Sequence, residues 1–442
     1  MRWNTHLIAA VVAFAILVSC AYGQTPASQA TPTSTDAPIT ITLQDALDRA
    51  QRYSPEFHSA LTAQGLARED TVQARATLLP AVNYGSQFIY TQPVAGDLPR
   101  FIASNGVREY VALGNAHEAL EIGNFAIYKR TIAFESVAKA RVQIAGRGLV
   151  LTVTQAYYGL VTAQRKYSTA QQAVTEAQKF LNISRKLENG GEVARADTLK
   201  AQLQANDKQR DLREASLLME KSRIDLAILI FPDFNQNFTT VDDLRLPDGV
   251  PGFEEISRLA SANNPALAVA LSAYQAGNAD LLASRAAYFP TVAVDYNYGI
   301  DAPNFAVRTD GISNLGYSAA ITLNLPIWNW GATHSKVKQS ILRRDQAKLE
   351  LTAAQKTLLG QLRVFYSESQ TAASAMELQR ASAQLAADSL RLTTLRYQSG
   401  DATVLEVVDA QNTLAAARNA FDDAELRYRV SLANLQTLTG KF

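Results

Sequence analysis

The sequence holds one cysteine, Cys20, so no disulfide can form within a single chain. Its four histidines, His6, His58, His117 and His334, are scattered, and no two stand at zinc-ligand spacing. No glycine loop is followed by a phosphate-binding lysine, and no nucleophile elbow occurs. An enzyme reading is therefore set aside, and no catalytic residue, cofactor or metal site is assigned. Basic residues (42) and acidic residues (41) leave a net charge of +1, which offers no electrostatic footprint for nucleic acid. Beyond the N-terminus no apolar run reaches 18 residues, so no transmembrane helix is expected.

The N-terminus itself reads as an export signal. Arg2 supplies the positive end, and the 12 residues from Leu7 to Val18 form an apolar stretch too short for an ordinary membrane span. Two cleavage readings stand side by side. In the first, Leu17-Val18-Ser19-Cys20 is a lipoprotein box, residues 1–19 are removed and Cys20 is acylated. In the second, Ala21-Tyr22-Gly23 is the small-x-small site and residues 1–23 are removed. Residues 24–40, rich in Thr, Ser, Pro and Ala, read as a flexible tail.

What the chain has in abundance is self-similarity. "GGEVARADTLKAQ" from Gly190 and "SGDATVLEVVDAQ" from Ser399 align when Gly191 is placed on Gly400, 209 residues later. Pro55 and Pro80 recur as Pro265 and Pro290 at a shift of 210, and Tyr157-Tyr158 recurs as Phe365-Tyr366 at a shift of 208. Shifts that agree this closely indicate duplicated architecture. The expected repeats are residues 41–232 and 253–442, joined by an Asp-, Asn-, Pro- and Gly-rich linker at 233–252. Each repeat reads as one helix (43–79 or 253–289) stopped by proline, two strands, then a long helical hairpin with a glycine turn.

Two periods run through each repeat. Val153, Ala156, Leu160, Ala163, Tyr167, Ala170, Val174, Ala177 and Leu181 are spaced alternately by three and four. So are Val407, Ala410, Leu414, Ala417, Phe421, Ala424, Tyr428, Ser431, Leu435 and Leu438. A sustained heptad implies left-handed supercoiling against neighbours. A single helix over 131–187 would be roughly 85 Å long, and a plain coiled-coil rod is the simplest structure that needs such a length. The strand segments point elsewhere. Val292, Val294, Tyr296, Tyr298 and Ile300 alternate with polar or small residues, as do Tyr317, Ala319, Ile321, Leu323 and Leu325. Val82, Tyr84, Phe88 and Tyr90 share one face in the first repeat, whose second strand (107–120) alternates only loosely through Val107, Val111 and Leu113. Such strands fit an outer-membrane barrel wall or one face of a soluble sandwich. Four strands, with no others in view, make a poor sandwich and cannot close a barrel alone, so three copies contributing twelve strands is the expectation.

This organisation resembles the TolC-like outer-membrane efflux family across essentially the whole mature chain. The resemblance rests on the duplication, the strands after Pro80 and Pro290, "LPIWNWG" at 325–331, the two turn segments and the Ala/Leu-rich heptad ending. It implies an α+β membrane protein: a homotrimer with four β-strands per chain in a shared 12-stranded β-barrel, continuous with a 12-helix coiled-coil α-barrel in the periplasm. It also implies a passive exit duct of a tripartite pump, in contact with outer-membrane lipid, a periplasmic membrane-fusion adaptor and an inner-membrane transporter of RND or ABC type. By the same resemblance Glu406, Asp409 and the first-repeat Asp197 match constriction acids, whose plainer reading is solvated surface charge. Gly190, Gly191 and Gly400 match adaptor-docking tips, and are equally readable as turn residues alone. An arginine that helps clamp the closed state in the family is replaced here by Ala402, with Arg195 the first-repeat substitute. Gly146, Gly148 and Gly159 lie inside the first long helix, where close packing or a bend is expected. A non-transporting trimeric coiled-coil envelope protein and the export duct of a type I protein secretion system remain the alternatives.

Overall fold

The computed structural model describes residues 39–91, 108–244, 250–303, 305–309 and 311–440. The described residues from Thr40 onward cluster as one compact unit. The expected signal segment, Cys20 and nearly all of the expected tail lie outside the described residues.

Each repeat opens with two helices where one was expected. Helix α1 (Leu43–Tyr53) starts at a capping box in which Thr42 and Asp45 satisfy each other's backbone N–H. Ser54 then ends α1 and caps α2 (Pro55–Ala76), its hydroxyl accepting from Phe57 N. The second repeat does the same with Asn264, between α5 (Phe253–Asn263) and α6 (Pro265–Ala286). The cause is the proline. A residue before proline is driven out of the helical region, and Ser54 and Asn264 are both extended, at ψ 114° and 119°.

Four antiparallel strands follow in the order β2 (Ala81–Tyr90), β3 (Arg108–Leu120), β5 (Thr291–Ala302), β8 (Leu315–Asn324), so the hairpin of one repeat pairs with that of the other through β3 and β5. One face carries Val82, Tyr84, Phe88, Tyr296, Tyr298, Tyr317, Ile321 and Leu323, all exposed. The loosely patterned β3 contributes its small residues to that face: Gly114 is opposite Tyr84 and Tyr298, and Ala116 is opposite Val82 and Tyr296. Val111 and Leu113, expected on the apolar face, belong instead to the other face with Asn115 and His117. There Asn115 donates to Asn297 at 2.8 Å, and His117 meets Asp295 at 2.7 Å. Large side chains over small ones dictate this register, which alternation within β3 alone could not reveal.

Four short strands were not anticipated. β6 (Arg308–Thr309) and β7 (Ile312–Ser313) pair between β5 and β8. β1 (Ile39–Ile41) pairs with β4 (Phe238–Thr240), so the expected tail ends in a strand and the expected linker contains one. Burial explains the second pair. Ile41, Phe238 and Leu244 join Val153, Tyr157, Leu160, Leu226 and Ile230 in one core, and the Tyr157 hydroxyl donates to the carbonyls of Val241 and Ile41.

The long hairpins are α3 (Ile122–Asn189) with α4 (Arg195–Ile230), and α7 (Ala332–Gln398) with α8 (Val404–Thr439). At 68 residues, α3 begins nine residues earlier than expected and is about 100 Å long. Every residue of both expected heptad seams is buried or half-buried. The three glycines do not interrupt α3. A Cβ at Gly146 would lie 3.4 Å from the Phe57 ring, so close packing against α2 accounts for that position; Gly148 and Gly159 face open space.

Candidate functional site

Both hairpin turns are built alike. Gly191 and Gly400 adopt φ of 75° and 82°, the left-handed conformation that glycine enters without steric penalty. At the first turn Gly191 N–H donates to Glu188 O (2.9 Å) and Glu192 N–H to Leu187 O (2.8 Å). At the second, Gly400 N–H donates to Tyr397 O (3.2 Å) and Asp401 N–H to Arg396 O (2.8 Å). Each is a Schellman motif, which satisfies carbonyls at the end of a helix. Gly190 differs from its neighbour, with an ordinary φ of −80°.

The turns part company at the start of the returning helix. Thr403 caps α8: its hydroxyl accepts from Glu406 N, while Glu406 Oε1 accepts from both the N–H and the hydroxyl of Thr403 at 3.1 Å. These bonds, first the backbone one and then the hydroxyl, hold the Glu406 carboxyl below the usual glutamate range, with Arg396 adding to the effect. In α4 the equivalent position is Ala194, which has no capping side chain.

Glu406 and Asp409 are both exposed, three residues apart on α8 and hence neighbours on one helix face. Asp197 is half-buried at the same place in the first turn of α4. About two turns further along, Gln204 of α4 donates to Asn412 of α8 at 2.9 Å, so the two returning helices run side by side behind their acids. The apolar support is a cluster of Phe180, Leu181, Ala201, Leu390, Tyr397, Val404 and Val407. Within it the Tyr397 ring packs 5.0 Å from Phe180, and its hydroxyl lies 3.2 Å from the buried Ser184 Oγ.

Arg396, which sequence reading passed over, is the arginine that reaches the second turn; the expected substitute, Arg195, has no ion pair among the described residues. Arg396 lies 3.5 Å from Glu406 Oε2 and donates to Asp401 O at 2.9 Å. The Thr403-x-x-Glu406 capping box was readable in the sequence. The contact of Arg396 with Glu406 was not, because the turn alone brings residues ten positions apart together.

A second charged cluster ties the hairpins together further from the turns. Arg165 of α3 makes two 2.7 Å bonds to Asp242, which follows β4, and also pairs with Glu425 of α8. Asp422 of α8 stands 3.7 Å from the same guanidinium. Beside them Lys166 pairs with Asp423 at 2.6 Å, and Arg429 donates to the Asp243 carbonyl at 3.0 Å. Burial pushes the Asp422 carboxyl up to about 6, with Arg165 opposing the shift and Glu425 adding to it. Burial also raises Glu425.

Among the described residues no group of three or more His, Cys, Asp or Glu could hold a metal ion, and no helix is long and apolar enough to cross a membrane. The geometry is that of a shaped scaffold with charged turns.

Comparison with known proteins bears on the fold and the family. The family model described as outer membrane efflux protein matches residues 46–230 and again 256–441. The alkaline protease secretion protein AprF of Pseudomonas aeruginosa is 23% identical over 417 residues, covering 90% of this chain and 84% of that one. Outer membrane protein OprJ of the same species is 26% identical over 319 residues, 70% of this chain and 64% of that protein. A crystal structure of a membrane protein from Pseudomonas aeruginosa superposes with a TM-score of 0.80 at 20% identity, covering 95% of this chain and 97% of that one. With a fold shared over nearly its full length and a family model matched twice, the chain belongs to the outer membrane efflux protein family, the export channels of the outer membrane.

Proposed function

We propose that this chain is the exit duct of a tripartite efflux or secretion system: a passive homotrimer that docks to a periplasmic adaptor and, through it, works with an inner-membrane transporter of RND or ABC type. One observation carries the reading. The four-stranded sheet has an exposed apolar face, and its outer strands β2 and β8 each pair on one side only among the described residues. In lipid, unpaired backbone groups are prohibitively costly, and single-chain barrels begin at eight strands. Three copies joined edge to edge give twelve strands and leave no edge. The helices support the same arrangement. Leu378, Leu385 and Leu392, at heptad spacing on α7, are exposed in the single chain, as a seam awaiting a neighbouring subunit would be. Four hairpin helices per subunit make twelve around an axis.

In this assembly Glu406 and Asp409, with Asp197 beside them, line the constriction, and Gly190, Gly191 and Gly400 with their flanks meet the adaptor. An acidic ring favours cations. Residues 1–23, or 1–19 with Cys20 acylated, are the export signal, and 41–232 and 253–442 are the repeats; mass spectrometry of the mature N-terminus separates the two signal readings. Type I protein secretion is the second reading, favoured by the similarity to a protein named for protease secretion. The test is native mass spectrometry of detergent-purified protein with conductance in planar bilayers. Trimers and small, cation-favouring currents are expected; a stable detergent-free monomer rules the duct out.

A further inference from the structure

The carboxylate of Glu406 is divided between two partners. Oε1 is committed to the Thr403 cap, while Oε2 faces the Arg396 guanidinium at 3.5 Å. Arg396 is fixed at both ends of this reach. Its carbonyl accepts the Asp401 N–H inside the Schellman turn, and its guanidinium returns across the turn to the Asp401 carbonyl. Asp409, one helical turn further along α8, has no ion pair among the described residues. The first hairpin has nothing comparable, with Leu187 in place of Arg396 and Ala194 in place of Thr403.

We infer that Arg396 is a selectivity-determining residue of the duct: it offsets the charge of Glu406, so that of the two constriction acids on α8 it is Asp409 that carries the net charge. The inference rests on the reading of this tip as the constriction. From α8 alone, two acids per chain would place six negative charges around a threefold axis; with Arg396 beside them that contribution falls to three. A closely spaced pair of opposite charges acts on a passing ion as a dipole, whose field falls off faster than that of Asp409 alone. The duct would then hold back anionic cargo less than its acids suggest. The pair is exposed and therefore open to screening, whose length is about 10 Å at 0.1 M salt and about 3 Å at 1 M.

The experiment is the reversal potential of purified trimers in planar bilayers under a KCl gradient, at 0.1 M and 1 M mean salt. Arg396→Gln is expected to raise the preference for K⁺ over Cl⁻ by about two- to threefold at low salt, with a smaller effect at high salt. Arg396→Lys should keep the wild-type ratio. Glu406→Gln, which preserves the capping box, should lower the preference, as should Asp409→Asn; the double variant Arg396→Gln/Glu406→Gln should return close to wild type. If Asp409→Asn shifts the ratio and Arg396→Gln does not, the role of Arg396 is overturned while the constriction stands. If no variant shifts it, the constriction reading falls and this inference with it.

Discussion

Asp422 shares one guanidinium with two other carboxylates and is the most distant of the three, at 3.7 Å from Arg165 against 2.7 Å for Asp242. It is also the most buried of them. Its folded carboxyl titrates at about 6, against about 3.9 for an unfolded aspartate. The folded state therefore binds the proton more readily, and ionised Asp422 subtracts stability at every pH above 6. That subtraction disappears as pH falls from about 6 towards 4. Asp422→Asn should accordingly stabilise the protein by about 1–3 kcal/mol at pH 8 and by about half as much at pH 5. Thermal unfolding at the two pH values checks this, and equal destabilisation at both would contradict it. Arg165 has the opposite role. Its removal leaves Asp422 and Glu425 buried without their cation, and Arg165→Ala should cost about 3–5 kcal/mol. None of this was legible in the sequence, where Arg165 and Asp422 are two charges among many on helical faces.

At the scale of elements, the two hairpins are a natural comparison because they share a turn and differ in a cap. Thr403→Ala should destabilise the start of α8 by about 1 kcal/mol. Ala194→Thr, at a backbone position already extended (φ −72°, ψ 148°), should build the missing box with Asp197 and stabilise α4 by a similar amount. Hydrogen exchange at the first-turn amides of both helices reads the two effects directly. The glycines separate in the same way. Gly191→Ala and Gly400→Ala, both at positive φ, should each cost about 1 kcal/mol, whereas Gly190→Ala should be close to neutral. Adaptor binding lost in Gly190→Ala with stability unchanged would show that this glycine has a contact role beyond the turn. The glycine turns and the heptad seams were legible in the sequence, since each is written in local spacing. The breaks at Ser54 and Asn264 were legible too, in the prolines that follow them, yet a continuous helix was read across both. β1 and β4 were not legible, because three-residue strands carry no period and form only where Ile41 and Phe238 enter the core beside Tyr157.

At the scale of the whole molecule, the proposed trimer rests on the exposed leucines of α7 and on sheet edges that are open among the described residues. Leu385→Asp places a charge in the middle of the exposed heptad row. It should leave the helix content of the chain intact while reducing the trimer fraction at least tenfold, in keeping with burial of a charge at a subunit seam. Circular dichroism and native mass spectrometry in detergent give the two readouts. A trimer of unchanged abundance would place α7 away from the subunit contact. The same substitution at Leu181, inside the chain's own seam, should instead unfold the hairpin, since that side chain is already buried.

The amino-acid sequence by itself determined the long helices, the four main strands and their doubling. Heptads, prolines, glycines and alternating strands act over a few residues, and the two repeats write them at nearly constant distance. Only the tertiary structure decided which charges meet, which face of β3 turns towards the large aromatics, and how the segment from Phe238 to Leu244 is drawn into the core. The physical reason is range. Backbone preference is set by neighbours in the chain, whereas the pairing of Arg396 with Glu406, or of Arg165 with Asp242 and Glu425, depends on turns and packing that bring distant positions within a few ångströms.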